Sequence, residues 1–199
     1  MRVLVACEFS GVVRRAFAAR GHFVVSVDLI PAEDGAKFAM PRSGIGQHYI
    51  GSVEDFLLMG TTGEMPGDWD MLIAFPPCTH LAVSGARWFA GKRAEQADAL
   101  QFVRALLDAP IPRIALENPI SVISTRIRKP DQIIQPWQFG HGETKATCLW
   151  LKGLPLLQPT HIVSGRTARV HRIAPGPDRW KERSRTLPGI AQAMAEQWA

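Results

Sequence analysis

The chain has 199 residues, of which 46% are hydrophobic and 21% charged, with a formal net charge of +5. That length suits a single domain over residues 1–199, with a real core. Apolar runs too short for a membrane span, a strand pattern that begins without a signal-peptide core, and three cysteines with no CxxC pair argue against a membrane or disulfide-scaffold protein and for a reducing, cytoplasmic setting. The six histidines show no metal-ligand spacing, so no metal is expected. The positive charge favours a polyanionic partner, and on charge alone a solvated basic surface explains it equally well. Much of the excess lies late, from Arg126, Arg128 and Lys129 to Arg179, Lys181, Arg183 and Arg185. Clustering of this kind suits a phosphate-tracking surface.

In chain order, Arg2 to Ala6 reads as an apolar strand, Cys7 to Gly11 as a turn and Val12 to Arg20 as a helix. Phe23 to Val27 is a second strand that ends in Asp28. A β-loop-α-β opening with an acid after the second strand is how a nucleotide-like cofactor is held. Of the dinucleotide GxGxxG pattern only Gly11 is present. A cofactor without a pyrophosphate, such as S-adenosylmethionine, needs less close approach. An ordinary βαβ unit with a turn glycine and a solvated Asp28 is the equal alternative.

Pro31 to Gln47 reads as loop, His48 to Val53 as a short third strand, Glu54 to Met59 as one or two helical turns and Gly60 to Gly67 as loop. Ser52 sits where such folds often place an acid that contacts adenine. Met71 to Phe75 is a buried parallel strand stopped by Pro76 and Pro77. Cys78 follows at its carboxyl end, where open α/β sheets bind ligands. A thiol in that stiff turn can act as a nucleophile if nearby positive charge lowers its pKa.

Ser84 to Trp88 is small, polar and basic and reads as a mobile loop over the site. Lys92 to Leu107 is the clearest helix, with Ala97, Leu100, Val103 and Leu107 on one stripe. Arg113 to Leu116 is another buried strand, followed by Glu117-Asn118-Pro119. Strands joined by one helix are usually neighbours, so Glu117 and Cys78 are expected to face one crevice. The plainer reading of Glu117 is a cap for the next turn. Ile120 to Ile134 is a basic connection, Trp137 to Lys145 a loop, and Ala146 to Leu151 a late strand with Cys148 as a core residue. Ser164 to Arg185 reads as an irregular, partly mobile basic insert. Pro188 to Trp198 is a terminal helix whose Ile190, Met194 and Trp198 form a core stripe.

The ordered set is Phe9-Ser10-Gly11, Asp28, Pro76-Pro77-Cys78 and Glu117-Asn118. In kind, order and spacing it resembles the DNA cytosine-5 methyltransferases, and most of all their short, phage-type members. The resemblance covers roughly Met1 to Leu151 and the terminal helix. It implies a Rossmann-like S-adenosylmethionine-dependent methyltransferase fold, a mostly parallel sheet flanked by helices. By the same resemblance Cys78 would attack C6 of a cytosine swung out of DNA, Glu117 would hold the base edge, and Asn118 would fix the loop. Phe9, Ser10 and Gly11 would line the S-adenosylmethionine pocket, with Asp28 on the ribose, Ile30, Ser52 and Val53 by the adenine and Pro76 by the methionine end.

Arg87 and Trp88 would close on DNA. Lys145 is the nearest cation to stand in for the base-contacting arginine, because no Gln-x-Arg-x-Arg motif precedes the late strand. Ser52 replaces the usual acid. About seventy residues separate Glu117 from the terminal helix, too few for a target-recognition domain. Residues 160–187, and within them Ser164 to Arg185, are the candidate for a reduced DNA-contacting segment. Three alternatives stay open: RNA as the substrate, a pyrimidine-modifying enzyme with another one-carbon donor, and a non-enzymatic DNA-binding relic.

Overall fold

The structure is a computed structural model and describes residues 1–39, 46–63 and 67–199. Seven strands form one sheet: β1 (Arg2–Ala6), β2 (Phe23–Asp28), β3 (Gln47–Ile50), β4 (Met71–Ala74), β5 (Arg113–Pro119), β6 (Gln132–Ile134) and β7 (Thr147–Lys152). Their spatial order is β3-β2-β1-β4-β5-β7-β6. All neighbouring pairs from β3 to β5 are parallel, and β7 runs antiparallel to both β5 and β6. The order reverses between β1 and β4, the switch point at which open α/β sheets bind ligands. This is the Rossmann-like α/β architecture, a mostly parallel sheet flanked by helices, that the resemblance implies.

The central strands read as nearly unbroken apolar runs because both of their faces are covered. On one face Val3, Val5, Met71 and Ile73 pack with Phe17 of helix α1 (Val12–Ala18) and Ile190, Met194 and Trp198 of α7 (Pro188–Trp198). On the other, Leu4, Ala6, Leu72 and Ala74 pack with Phe56 of α2 (Val53–Thr62) and Val103 and Leu106 of α3 (Arg93–Leu107). The terminal helix starts with Pro188 at its first turn, where a missing N–H costs nothing. Gly189 then passes so close to the Phe139 carbonyl that any Cβ would collide with it.

Several sequence boundaries shift, each for a local reason. The third strand ends at Ile50, because Ser52 caps α2 by accepting a hydrogen bond from Asp55 N–H at 3.3 Å. That helix runs to Thr62, past the expected loop start at Gly60; the rest of the loops at Pro31–Gln47 and Gly60–Gly67 lies partly outside the described residues. The segment read as a mobile loop is a 3-10 helix over Val83–Gly91, anchored where Val83 N–H meets the Ile120 carbonyl. The connection after β5 carries the short helix α4 (Ile123–Arg126) and β6. The basic insert, expected to be irregular, contains α5 (Arg169–Arg172) and α6 (Arg179–Ser184).

A charged staple fixes the first turn. Arg14, only 2% exposed, makes two hydrogen bonds to the Asp34 carboxylate at 2.6 and 2.7 Å, and Arg15 adds a third at 2.5 Å. Burial alone would raise the Asp34 carboxyl, but the two guanidiniums hold it down at about 2. Its contribution is therefore complete above the ordinary aspartate range and is lost as pH falls toward 2. Asp34→Asn is expected to cost about 2 kcal/mol at pH 7, since it strands a buried arginine. In urea unfolding, the gap between wild type and variant should shrink below about pH 4. A gap that stays constant to pH 3 would contradict the staple.

Candidate active site

The site is built at the carboxyl ends of β1, β2, β4 and β5. After β4, Pro76 and Pro77 end the ladder, and Cys78 begins a tight turn in which its carbonyl accepts from the N–H groups of Leu81 and Ala82 at 3.0 and 2.9 Å. Cys78 is exposed, whereas Cys148 is buried and Cys7 half-buried. In β5, ladder pairing continues through Glu117 and Asn118, opposite Leu149 and Cys148. The sequence pattern stops this strand at Leu116; the β7 hairpin extends it. Period-two alternation then turns Glu117 to the face that α7 covers. There it lines a cavity of about 10 Å³ with Lys145, Thr147, Leu187, Ile190 and Met194, room for about one water molecule.

Asn118 ties the two strand ends together. It is buried, and its Nδ2 donates to the Pro76 carbonyl at 2.9 Å. Its Oδ1 has no partner among the described residues.

The charges around this pair form one coupled set. Burial pushes the Glu117 carboxyl up, and the Lys145 ammonium and Thr147 hydroxyl partly offset it. Protein crowded around its sulfur, and then the Glu117 carboxylate, push the Cys78 thiol up; Lys145 and Arg183 pull it down. Glu117, Lys145 and Arg183 all act on the Cys78 thiol, and Lys145 acts on Glu117 as well. The two remaining thiols are raised further, Cys7 to about 12 and Cys148 to about 11, mainly by burial. Cys78 is the thiol that combines exposure with cationic neighbours.

The first turn is equally specific. Cys7 sits at φ 58 and Gly11 at φ 66. A Cβ on Gly11 would stand 2.4 Å from Arg14 Nη2 and 2.9 Å from an Asp34 oxygen, so glycine alone closes this turn. Glu8, 4% exposed, accepts from the N–H groups of Val13 and Arg14 at 2.6 and 3.2 Å, yet burial pushes its carboxyl up to about 7. Phe9, Ser10 and Val53 are buried, as is Pro76. Asp28 is half-buried at the end of β2, raised by burial and partly offset by the N–H groups of Ile30 and Leu29. The Ile30 carbonyl accepts from His48 Nε2 at 2.9 Å. The Ser52 hydroxyl oxygen accepts the helix-cap bond from Asp55 N–H.

The basic insert lies over this end of the sheet and is pinned to it. Trp180 packs on Phe9 with ring centroids 5.4 Å apart. Arg185 makes two hydrogen bonds to Glu33, at 2.6 and 2.8 Å, and its carbonyl is 3.5 Å from Lys145 Nζ. Arg169 pairs with Glu143 at 2.8 Å. Arg87 and Trp88 lie on the 3-10 helix that follows Cys78, the guanidinium 5.0 Å from the indole centroid. Sequence reasoning missed Thr147, Arg183, Trp180 and Glu8. Of these, Arg183 and Trp180 fall inside the flagged basic stretch, whereas nothing local marks Thr147 or Glu8 as belonging to a site.

Fold and strand order place the chain in the Rossmann-like class of α/β proteins to which the S-adenosylmethionine-dependent methyltransferases belong. No family model matches the chain, and no curated protein matches it. Among solved structures, it is similar to a candidate DNA modification methyltransferase encoded within an E. coli prophage, at 16% identity and a TM-score of 0.47. The match covers 88% of this chain and 55% of that one, so this chain spans about half the length of that neighbour. Among the described residues no helix is long and apolar enough to cross a membrane, and no group of three or more His, Cys, Asp and Glu is placed to hold a metal.

The charge coupling has a direct readout. Glu117→Gln removes the carboxylate that raises Cys78, so the pH midpoint for alkylation of Cys78 by iodoacetamide should fall. Lys145→Met removes a cation and should move that midpoint upward. Peptide mass spectrometry reads the rate at Cys78 alone. Midpoints that do not move in either variant would mean that the three side chains do not share a crevice.

Proposed function

We propose that the chain is an S-adenosylmethionine-dependent methyltransferase acting on C5 of cytosine in DNA. The observation that carries this reading is the placement of an exposed thiol, Cys78, and a buried carboxyl, Glu117, at neighbouring strand ends tied by Asn118, with Lys145 lining the cavity beside Glu117.

C5 of cytosine is a poor nucleophile, and adding a thiolate at C6 makes it a good one. Cys78 forms that S–C6 bond as the C5–C6 double bond opens toward C5. The pH behaviour of Glu117 suits the partner role. A carboxyl pushed up by burial holds its proton longer and can donate it to N3, while its other oxygen accepts from the exocyclic amine. In that hydrogen bond the protonated Glu117 carries no negative charge to raise Cys78, and once its proton has passed to N3 the carboxylate is offset by the cationic ring beside it. Base binding and thiol ionisation then favour each other, with Lys145 and Arg183 left to stabilise the thiolate. Once C5 carries the methyl group, its proton leaves to solvent, the C5–C6 double bond re-forms and the Cys78 thiolate departs. Asn118 keeps the Cys78 turn and the Glu117 strand in register throughout. A base in duplex must leave the stack to reach this point.

The space beside Gly11 is filled by the Arg14, Arg15 and Asp34 side chains, so Gly11 would meet the cofactor through its backbone. The Asp28 carboxylate takes the Ile30 N–H at 3.3 Å and keeps acceptor capacity for ribose hydroxyls. Phe9, Ser10 and Gly11 would hold one end of S-adenosylmethionine, Asp28, Ile30, Ser52 and Val53 the adenosine end, and Pro76 the side toward the base. When bound, the cofactor supplies an electrophilic methyl carbon. Arg87, Trp88 and Lys145 would contact the DNA.

A second reading, a DNA-binding protein without transferase activity, draws on two observations. The Ser52 hydroxyl oxygen caps its helix, and Trp180 covers Phe9. Incubation with methyl-labelled S-adenosylmethionine and cytosine-containing DNA, followed by nucleoside mass spectrometry, decides between them. The methyltransferase reading expects 5-methylcytosine, lost at least ~10³-fold in Cys78→Ser and ~10²-fold in Glu117→Gln. Label on another base, or transfer indifferent to Cys78→Ser, would overturn it.

A further inference from the structure

Six tryptophans divide cleanly by environment. Trp69, Trp150 and Trp198 are core residues, each at most 6% exposed. The other three sit at the carboxyl edge of the sheet, and each carries a cation against its ring. Trp88 is 62% exposed, with Arg87 at 5.0 Å from the ring centroid. Trp180 is 50% exposed, with Lys181 at 5.7 Å. Trp137, half-buried just after β6, has Arg166 at 3.9 Å. Trp88 follows the Cys78 turn in the chain, and Trp180 lies one helical turn before Arg183, whose charge reaches the Cys78 thiol.

From this arrangement we infer that the substrate of the proposed site is unpaired, single-stranded DNA, with bases near the target stacking on Trp88 and Trp180. The inference rests on the proposed function for the identity of the site and adds the strand state. An indole face with a neighbouring cation binds a base face and its phosphate together, and it does so without sequence preference. A duplex offers no free base faces along its length.

A second observation points the same way: the basic insert folds back onto Phe9, Glu33 and Glu143, which fixes its cations and Trp180 along the carboxyl edge of the sheet as a stacking platform requires. Exposed Val83 and Ile120, joined by a backbone hydrogen bond beside the Trp88 segment, extend its apolar surface.

The test is fluorescence anisotropy on the full chain, with a labelled cytosine-containing oligonucleotide presented as single-stranded DNA, as duplex and as RNA of the same sequence. Single-stranded DNA is expected to bind at least ~10-fold more tightly than duplex, and Trp88→Ala to weaken it by roughly 5- to 100-fold. Trp180→Phe, which keeps an aromatic ring against Phe9, is expected to weaken it less than Trp180→Ala. Equal or tighter duplex binding overturns the inference, and because it is read on the wild-type protein it depends on no variant folding. Preference for RNA overturns the assignment to DNA, and indifference to Trp88→Ala overturns the stacking. Binding needs no cofactor, so this failure is separable from that of the proposed function. Methyl transfer into duplex alone would spare the function and sink this inference; single-strand binding without methyl transfer would do the reverse.

Discussion

The hydrogen bond from Asn118 Nδ2 to the Pro76 carbonyl joins the ends of β4 and β5, and the geometry of the site follows from it. Beyond Ala74 the two strands no longer share a ladder, because Pro76 and Pro77 supply no N–H. The amide of Asn118 replaces the missing ladder contact at Pro76, and just beyond the Cys78 turn the bonds from Val83 N–H to the Ile120 carbonyl and from Val122 N–H to the Leu81 carbonyl rejoin the two segments. The β7 hairpin holds β5 extended to Pro119, so Asn118 is fixed from its own side as well. A neutral, buried hydrogen bond thus sets the spacing of two ionisable groups that act on each other.

That spacing makes the site an electrostatic device rather than a simple thiol. Glu117 opposes ionisation of Cys78, while Lys145 and Arg183 favour it. Resting, the thiol holds its proton and is protected from adventitious oxidation or alkylation. In the proposed reaction a base that keeps Glu117 protonated would tip the balance, and reactivity would follow occupancy.

Much of this was legible in the sequence. Apolar runs buried on both faces gave the strands away, the prolines marked where β4 stops, and the order of Asp28, Cys78 and Glu117 followed from chain direction in a parallel sheet. The reversal at β7 was not legible, because its six residues read the same in either direction and β6 is three residues inside a basic connection. Nor was the pinning of the insert. Arg185 reaches Glu33 across 152 residues, and no local pattern encodes a partner that far away. At Ser52 the sequence pointed to a ligand position at a strand end and did not show that the hydroxyl also caps the next helix. The stretch that reads as an irregular, partly mobile basic insert folds onto Phe9 and Glu33 and carries Arg183 and Trp180 with it.

The central claim is that the Cys78 sulfur bonds to a cytosine ring held against Glu117. A cytosine bearing fluorine at C5 blocks the last step, since no C5 proton can leave and the thiolate stays attached. The direct measurement is therefore peptide mass spectrometry of the protein incubated with S-adenosylmethionine and 5-fluorocytosine-containing DNA. The account predicts a denaturant-stable adduct mapped to Cys78, absent when cofactor or fluorine is left out and strongly reduced in Glu117→Gln. An adduct at Cys7 or Cys148, or none where 5-methylcytosine is made from ordinary DNA, would contradict it.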